Sequence, residues 1–236
     1  MVFSCIPFLF FFLPLCLILY YAVPFSWKNG ILLIFSLIFY AWGEPLYILL
    51  MLFSTALDYT NGRLMERFGT TRFRRTFFLC CSICINLSIL AFFKYADFAV
   101  LTINGLLGTQ FAQPGIHLPV GISFYTFQTM SYIIDLYRGE VKAEHSYTAY
   151  LTYVSMFPQL VAGPIVRFAD IQEQLHDRRL TLKGFEQGIL RFMTGLFKKV
   201  LIANQAGALW GENRALGAAD TRVATARLGA LCFHLP

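Results

Sequence analysis

The chain has 236 residues, of which 57% are apolar and only 14% are charged, and 25 of them are phenylalanines. Soluble domains carry about 25% charged residues, so this composition excludes an ordinary water-exposed surface, and the high hydrophobicity excludes a disordered chain. Six cysteines are too few for a disulfide scaffold. The composition therefore predicts an all-α integral membrane protein, in which the net charge of +6 marks cytoplasmic loops rather than a nucleic-acid partner.

Apolar stretches of about 20 residues predict the membrane spans, because a helix of that length crosses the hydrocarbon core. No repeat or linker divides the chain, so we treat 1–236 as a single membrane domain. Pro45 disfavours helix at Glu44, which makes the second stretch either one kinked span or two shorter helices. The last stretch carries Arg191, Lys198 and Lys199 and is therefore interfacial or faces an aqueous cavity. The predicted spans are 2–21, 31–57 with a break near 43–45, 76–95, 118–137, 146–166 and 187–210.

The segment 61–75 indicates the orientation in the membrane. It contains five arginines and a single acid, Glu66, and the excess of basic residues in cytoplasmic loops predicts that it lies in the cytoplasm. A patch for nucleic acid or anionic lipid is the alternative explanation of these arginines. The final apolar stretch, 228–236, is too short to cross a bilayer as a helix, so we expect the chain to be truncated at its C-terminus.

The stretch 118–135 carries a polar stripe on a predicted membrane helix. At 3.6 residues per turn, its polar side chains fall within one arc of the helix. Such a stripe must face protein or water, because unsatisfied polar groups in hydrocarbon are costly. It therefore either makes hydrogen bonds between helices or lines a cavity that contacts substrate. The residues of the stripe are Gly121, Tyr125, Gln128, Thr129, Tyr132 and Asp135.

The stretch 157–165 contains two prolines and a glycine within an apolar run. These residues break the helical hydrogen bonds, which is tolerated in a membrane only where the backbone is buried in protein or lines a cavity. Gln159 would satisfy the freed backbone groups or present its amide to a ligand. A simple proline kink is the alternative.

The histidines and cysteines do not indicate a catalytic or metal site. The histidines lie outside the middle of the apolar spans, which is typical of interfacial or loop residues rather than of a catalytic base. Cys81 and Cys84 form a C-x-x-C pair within an apolar run, where a zinc site would need further ligands and polar surroundings. We therefore expect no metal. The four histidines are His117, His145, His176 and His234.

Taken together, these motifs resemble the membrane-bound O-acyltransferase family, in its bacterial branch that O-acetylates alginate. The matching stretches follow one another over nearly the whole chain: 1–10, Phe39–Pro45, Phe93–Tyr95, Leu118–Arg138, Phe157–Ile165 and Phe197–Lys199. The resemblance implies a multi-span helical fold with broken helices around a buried tunnel, in the bacterial inner membrane. The acyl group would reach the tunnel from the cytoplasm and pass to a hydroxyl acceptor on the periplasmic side.

The activity implied by the resemblance is transfer of acetyl groups to an exported polysaccharide, with alginate favoured. D-alanyl transfer to teichoic acid and acetylation of peptidoglycan or cellulose are alternatives within the family. No bound cofactor is implied, and the donor is an acetyl thioester or a similar compound. The implied partners are membrane lipid, the exported polysaccharide and periplasmic acetyl-transfer proteins. The family's catalytic histidine has no match here and would lie beyond Pro236, so we expect this chain to be inactive by itself.

The resemblance and the polar stripe together give candidates for tunnel lining or donor contact. Two other classes of function remain open. A transporter or channel also uses polar stripes and broken helices, although it would show inverted repeats, and the sequence shows no repeat. A structural membrane subunit is the third possibility. The candidate residues are Tyr125, Gln128, Tyr132, Arg138 and Gln159, with Lys198 and Lys199 facing an anionic donor or lipid phosphates.

Overall fold

The computed structural model describes residues 3, 5–160, 163–178 and 180–208, and all regular structure in these residues is helical. The predicted all-α fold class is therefore confirmed. The chain divides into two units, Leu13–Arg178 and the described parts of Val2–Phe12 and Arg179–Pro236. The first unit comprises α1 (Leu13–Ala22), α2 (Phe25–Gly43), α3 (Ile48–Phe68), α4 (Arg72–Leu107), α5 (Ile122–Arg138), α6 (Tyr147–Ser155), α7 (Phe157–Leu160) and α8 (Phe168–His176). The second contains α9 (Leu182–Phe197) and the π-helical segments Phe8–Phe12 and Lys198–Ala203.

The apolar stretch around Pro45 forms two helices rather than one kinked helix. α2 ends at Gly43, and the backbone N–H of Glu44 still donates to Tyr40 O at 2.9 Å before the chain turns. Pro45 supplies no backbone donor with which the helix could continue. The Tyr47 hydroxyl donates to His117 O at 3.4 Å, so this turn lies beside the loop that precedes α5.

α4 is a single helix of 36 residues, about 54 Å long, which exceeds the hydrocarbon thickness of about 30 Å. Among the described residues, only α2 and α4 have both the length and the apolar character needed to cross a membrane. Large apolar side chains on them stay exposed, with Trp42 at 70% and Phe98 at 66%. Exposed apolar surface of this extent is typical of helices that face lipid.

One end of the first unit, formed by residues 63–75 and 136–146, is called the basic end here. Arg75, in the first turn of α4, donates from Nη2 to Leu136 O at 3.1 Å and to Tyr137 O at 2.9 Å. The last turn of α5 therefore lies beside the first turn of α4, and the two helices run antiparallel. His145 lies 3.3 Å from Glu66 at the end of α3, so α6 also starts at the basic end.

The described residues of the range 146–166 form a hairpin instead of the single predicted span. α6 has nine residues and rises only about 13 Å. Leu160, at the end of α7, reaches the start of α5, because a Cβ placed on Gly121 would lie 2.8 Å from Leu160 O. Arg167 then pairs with Asp135 near the other end of α5 at 2.6 Å. The segment thus enters the bundle from the basic end and returns to it.

Side chains stabilise the broken backbone of this hairpin. The N–H of Phe157 would normally donate to Tyr153 O four residues earlier, but it donates to the Ser36 hydroxyl of α2 at 3.2 Å. The Tyr153 hydroxyl donates to Val166 O at 2.9 Å on the returning segment. Polar side chains from α2 and α6 therefore replace the helical hydrogen bonds that the break removes.

Candidate functional site

The polar stripe of α5 lies in the interior of the first unit. Tyr125, Gln128, Tyr132 and Asp135 are each at most 3% exposed, whereas Phe127 on the other side of the helix is 47% exposed. The helices that pack on α5 are α3, α4, α6 and α8. The stripe therefore faces protein rather than lipid, and three predicted site residues share this interior face.

Gln128 and Gln159 meet at one backbone oxygen. The Gln128 amide donates to Tyr153 O at 3.0 Å, and the Gln159 amide donates to the same oxygen at 2.5 Å. Tyr153 O is available because the N–H of Phe157 is bonded to Ser36. Both glutamines thus cap the end of α6, which is the first of the two roles that the sequence left open for Gln159.

Aromatic rings from α5, α6 and α8 pack into one cluster around Phe168. The ring centroids of Tyr132 and Tyr150 are 4.6 Å apart, and Phe168 lies 5.0 Å from Tyr132 and 5.2 Å from Tyr153. The Tyr132 hydroxyl accepts from the Glu144 N–H at 3.0 Å.

Besides the Tyr40 hydroxyl of α2, two tyrosine hydroxyls of this interior have no hydrogen-bond partner among the described residues, those of Tyr125 and Tyr150. Both side chains are almost fully buried. Buried polar groups in native proteins nearly always find a partner, in protein, water or ligand. The two hydroxyls are therefore points at which a polar ligand or an ordered water would be stabilised.

A second polar cluster, which the sequence analysis missed, surrounds Asp58 on α3. Asn86 of α4 donates from Nδ2 to both carboxylate oxygens at 2.9 Å. The Ser82 hydroxyl also donates to this carboxylate, and the Ser54 hydroxyl donates to Asn86 Oδ1. All four residues are buried. A carboxylate buried between apolar helices suggests a functional site. The groups that donate hydrogen bonds to the Asp58 carboxylate are all neutral.

The helical spacing of its residues is the feature of the sequence from which this cluster could be predicted. Ser54 and Asp58 are four residues apart on α3, and Ser82 and Asn86 are four residues apart on α4. Residues at this spacing lie on one face of a helix, so each helix presents a polar pair to its neighbour. The predicted span 31–57 ends one residue before the carboxylate and so does not include Asp58.

The structure separates Arg138 from the interior residues. Its side chain is 63% exposed and lies 3.7 Å from Glu140. Asp135 pairs instead with Arg167, which contacts the carboxylate through Nε at 3.1 Å and Nη2 at 2.6 Å and also contacts Glu140 at 2.6 Å. These hydrogen bonds raise the pKa of the Arg167 guanidinium, so it remains cationic. Arg167 therefore holds the hairpin to α5, a role that the sequence did not indicate.

The three described histidines lie in loops or at a helix end, and each lies beside a glutamate. The shortest pair, at 2.8 Å, joins His176 to the buried Glu144, whose other oxygen accepts the N–H groups of His145 and Ser146. Glu144 thereby connects α8 to the start of α6. His234 lies outside the described residues. The pairs are His117 with Glu44, His145 with Glu66 and His176 with Glu144.

Lys198 and Lys199 belong to the second unit and are exposed there. They open the π-helical segment that follows α9. α9 is amphipathic, because its large apolar residues lie on one face and Lys183, Gln187 and Arg191 lie on the other. A role for the two lysines at an anionic donor or at lipid phosphates stays a prediction.

Comparison with known proteins gives consistent relatives along the chain. A probable alginate O-acetylase AlgI of Pseudomonas aeruginosa is 40% identical over 99% of this chain, and the one of Azotobacter vinelandii is 38% identical over 99%. A peptidoglycan O-acetyltransferase of Helicobacter pylori is 30% identical over 84% of the chain. The matches cover 45%, 47% and 43% of these relatives, so the chain spans about half of their length. No family model matches the chain, and no solved structure matches it significantly.

Apolar helices with exposed apolar faces and a buried polar stripe define the chain as an integral membrane protein. The relatives narrow this class further. The chain is similar over most of its length to probable alginate O-acetylases and to a peptidoglycan O-acetyltransferase, which confirms the resemblance indicated by its motifs.

Proposed function

We propose that this chain is part of an O-acetyltransferase that modifies an exported polysaccharide, with alginate as the acceptor. The observation that carries the proposal is the 36–41% identity to five probable alginate O-acetylases over 86–99% of the chain. The acyl donor is an acetyl thioester or a similar activated acetyl compound. The remaining partners are the polysaccharide and periplasmic acetyl-transfer proteins.

The interior of the first unit supports a role in holding the acyl group or the acceptor. Tyr125 and Tyr150 offer buried hydroxyls without a partner among the described residues, and the Tyr150 ring lies in the aromatic cluster around Phe168. Such hydroxyls donate to carbonyl oxygens, and apolar aromatic rings accept an acetyl methyl group. Gln128 and Gln159 act indirectly, because their hydrogen bonds fix the end of α6, the helix that carries Tyr150 and Tyr153.

The orientation follows from the same proposal. The basic end would lie in the cytoplasm of a bacterium, at its inner membrane, because its arginines between helices obey the positive-inside rule. An epitope tag inserted after Arg75 should then be labelled only in permeabilised cells. Labelling of intact spheroplasts at that tag would contradict the cytoplasmic orientation.

A chimera tests the activity. This chain would replace the matching segment of the P. aeruginosa relative in a strain that lacks its own copy, and acetyl groups per uronate would be measured in exported alginate. We expect the chimera to restore acetylation and this chain alone to give none. Gln128→Leu and Gln159→Leu should each lower acetylation at unchanged membrane abundance, whereas Phe127→Leu on the outer face of α5 should not. Full abundance without acetylation in the unmodified chimera would contradict the proposal.

A second acceptor has its own support. The H. pylori relative is a peptidoglycan O-acetyltransferase, so peptidoglycan is the alternative polymer. Measuring acetyl groups on both polymers in the chimera strain separates the two, because acetylated peptidoglycan with unmodified alginate would favour this acceptor.

A further inference from the structure

A pocket of about 270 Å³ opens at the basic end, away from the interior of α5 described above. Three segments form it: the last turn of α3, the first turn of α4 and the loop from α5 to α6. Its apolar lining includes Met65, Leu136 and Val141, all of them buried side chains. Glu66, Arg75 and Lys142 provide its charges.

The acid and the bases of this pocket differ in their pairing. Glu66 is already bound by Arg63 at 2.6 Å and lies 3.3 Å from His145. Lys142 is exposed and makes no ion pair or hydrogen bond with the described residues. Arg75 uses only Nη2, which it donates to the carbonyls at the end of α5. The unpaired charge of the pocket is therefore positive.

The helix ends reduce this positive charge without cancelling it. α3 and α5 both end at the pocket, and a helix C-terminus carries about half a negative charge. Arg75 contacts the carbonyl groups of α5 and thereby offsets that end. Lys142 is left as the cation with no partner among the described residues, and Arg75 still has its Nε and Nη1 groups with which to donate.

Surrounding side chains favour a membrane lipid over a soluble anion. Phe73 and Phe77, in the first two turns of the helix that supplies Arg75, are 80% and 60% exposed. Exposed aromatic rings flanked by arginines are typical of a surface that inserts between lipid headgroups. Basic pockets at the ends of membrane helices bind anionic headgroups.

We propose that this pocket binds the headgroup of an anionic glycerophospholipid, with its phosphate between Lys142 and Arg75 and its glycerol against Val141 and Leu136. The pocket is large enough for a headgroup and too small for a whole lipid. The proposal does not depend on acetyl transfer or on which membrane face the basic end occupies.

The test measures binding of dioctanoyl phosphatidylglycerol to the detergent-purified protein by native mass spectrometry. Lys142→Gln should weaken binding about fivefold, as expected for the loss of one basic group near an anionic headgroup. Arg74→Gln is the matched control, because Arg74 is an exposed cation of the same end that does not line the pocket. It should change the affinity less than twofold, and Lys142→Arg should retain binding.

Two further ligands separate the sources of the phosphate. Dioctanoyl phosphatidylcholine and inorganic phosphate should each bind at least fivefold more weakly than phosphatidylglycerol. Equal effects of Lys142→Gln and Arg74→Gln would show diffuse surface attraction and overturn the proposal. Inorganic phosphate or phosphatidylcholine binding as tightly as phosphatidylglycerol would overturn it as well.

Discussion

The side-chain amide of Asn86 donates hydrogen bonds to both carboxylate oxygens of Asp58, at 2.9 Å each, and so joins α4 to α3 in the interior. The same nitrogen also donates to Ser82 O at 3.0 Å. A buried carboxylate without donors is costly, so the two helices depend on this amide for their packing.

Asn86→Leu should destabilise the protein by about 2–3 kcal/mol, because it leaves the buried carboxylate of Asp58 without its principal donor. Thermal unfolding in detergent measures the change. Asn104→Leu on the same helix is the control, since Asn104 bonds only to neutral groups of Phe111 and Thr109 near the surface and its loss should cost clearly less. The double variant Asp58→Leu/Asn86→Leu should lose less stability than the sum of the losses in the two single variants. Strict additivity would show that the two side chains are not coupled.

Gln128→Leu and Gln159→Leu should be individually mild and jointly severe. Each single variant keeps one amide on Tyr153 O and should lose less than about 1 kcal/mol, whereas the double variant leaves that carbonyl unsatisfied and should lose about 1–3 kcal/mol. The same unfolding assay applies, with Gln110→Leu in an exposed loop as the control. A double variant as stable as either single variant would mean that other groups satisfy the carbonyl.

Gly121→Ala should be more destabilising than Gly139→Ala. Both glycines have positive φ, +83° and +81°, and a Cβ in that region costs about 1–2 kcal/mol. Only at Gly121 would the new Cβ also meet a backbone atom, Leu160 O at 2.8 Å, while Gly139 has open space. Comparing the two unfolding midpoints isolates the contact between α7 and α5, and equal losses would contradict that contact.

Arg167→Gln should lower the unfolding temperature more than Arg167→Lys, and Arg138→Gln should leave it unchanged. Arg167 contacts the buried Asp135 through two nitrogens, a geometry that lysine reproduces only in part. Arg138 is exposed and its contact with Glu140 is long. The three variants measured at one salt concentration give this order. If Arg138→Gln lowered the unfolding temperature as much as Arg167→Gln, the assignment of the stabilising ion pair to Arg167 would be wrong.

The parts of the fold that depend on local pattern could be predicted from the sequence. Helical periodicity identified the stripe that includes Tyr125 and Tyr132 as a buried face, and Pro45 located the break between α2 and α3. The prolines at 158 and 164 likewise indicated a broken helix, but a break gives no information about the direction in which the chain continues. The hairpin therefore remained hidden.

Contacts between distant residues were not predictable in the same way. Gln128 and Gln159 share an acceptor on a third element, and Arg167 pairs with Asp135 across 32 positions of sequence. No local sequence pattern predicts either of these two contacts. Asp58 was missed for a different reason, because spans were delimited by the absence of charge, and this criterion removes a buried carboxylate from the helix that contains it.

The hairpin of α6 and α7 also changes how many times the chain traverses the bilayer. A segment that enters and leaves at one end contributes no passage, so we expect α8 to lie in the same compartment as the turn between α3 and α4. A hydropathy count that scores 146–166 as one passage assigns α8 to the opposite compartment. Fusion reporters placed before Tyr147 and after His176 would thus give identical rather than alternating signals.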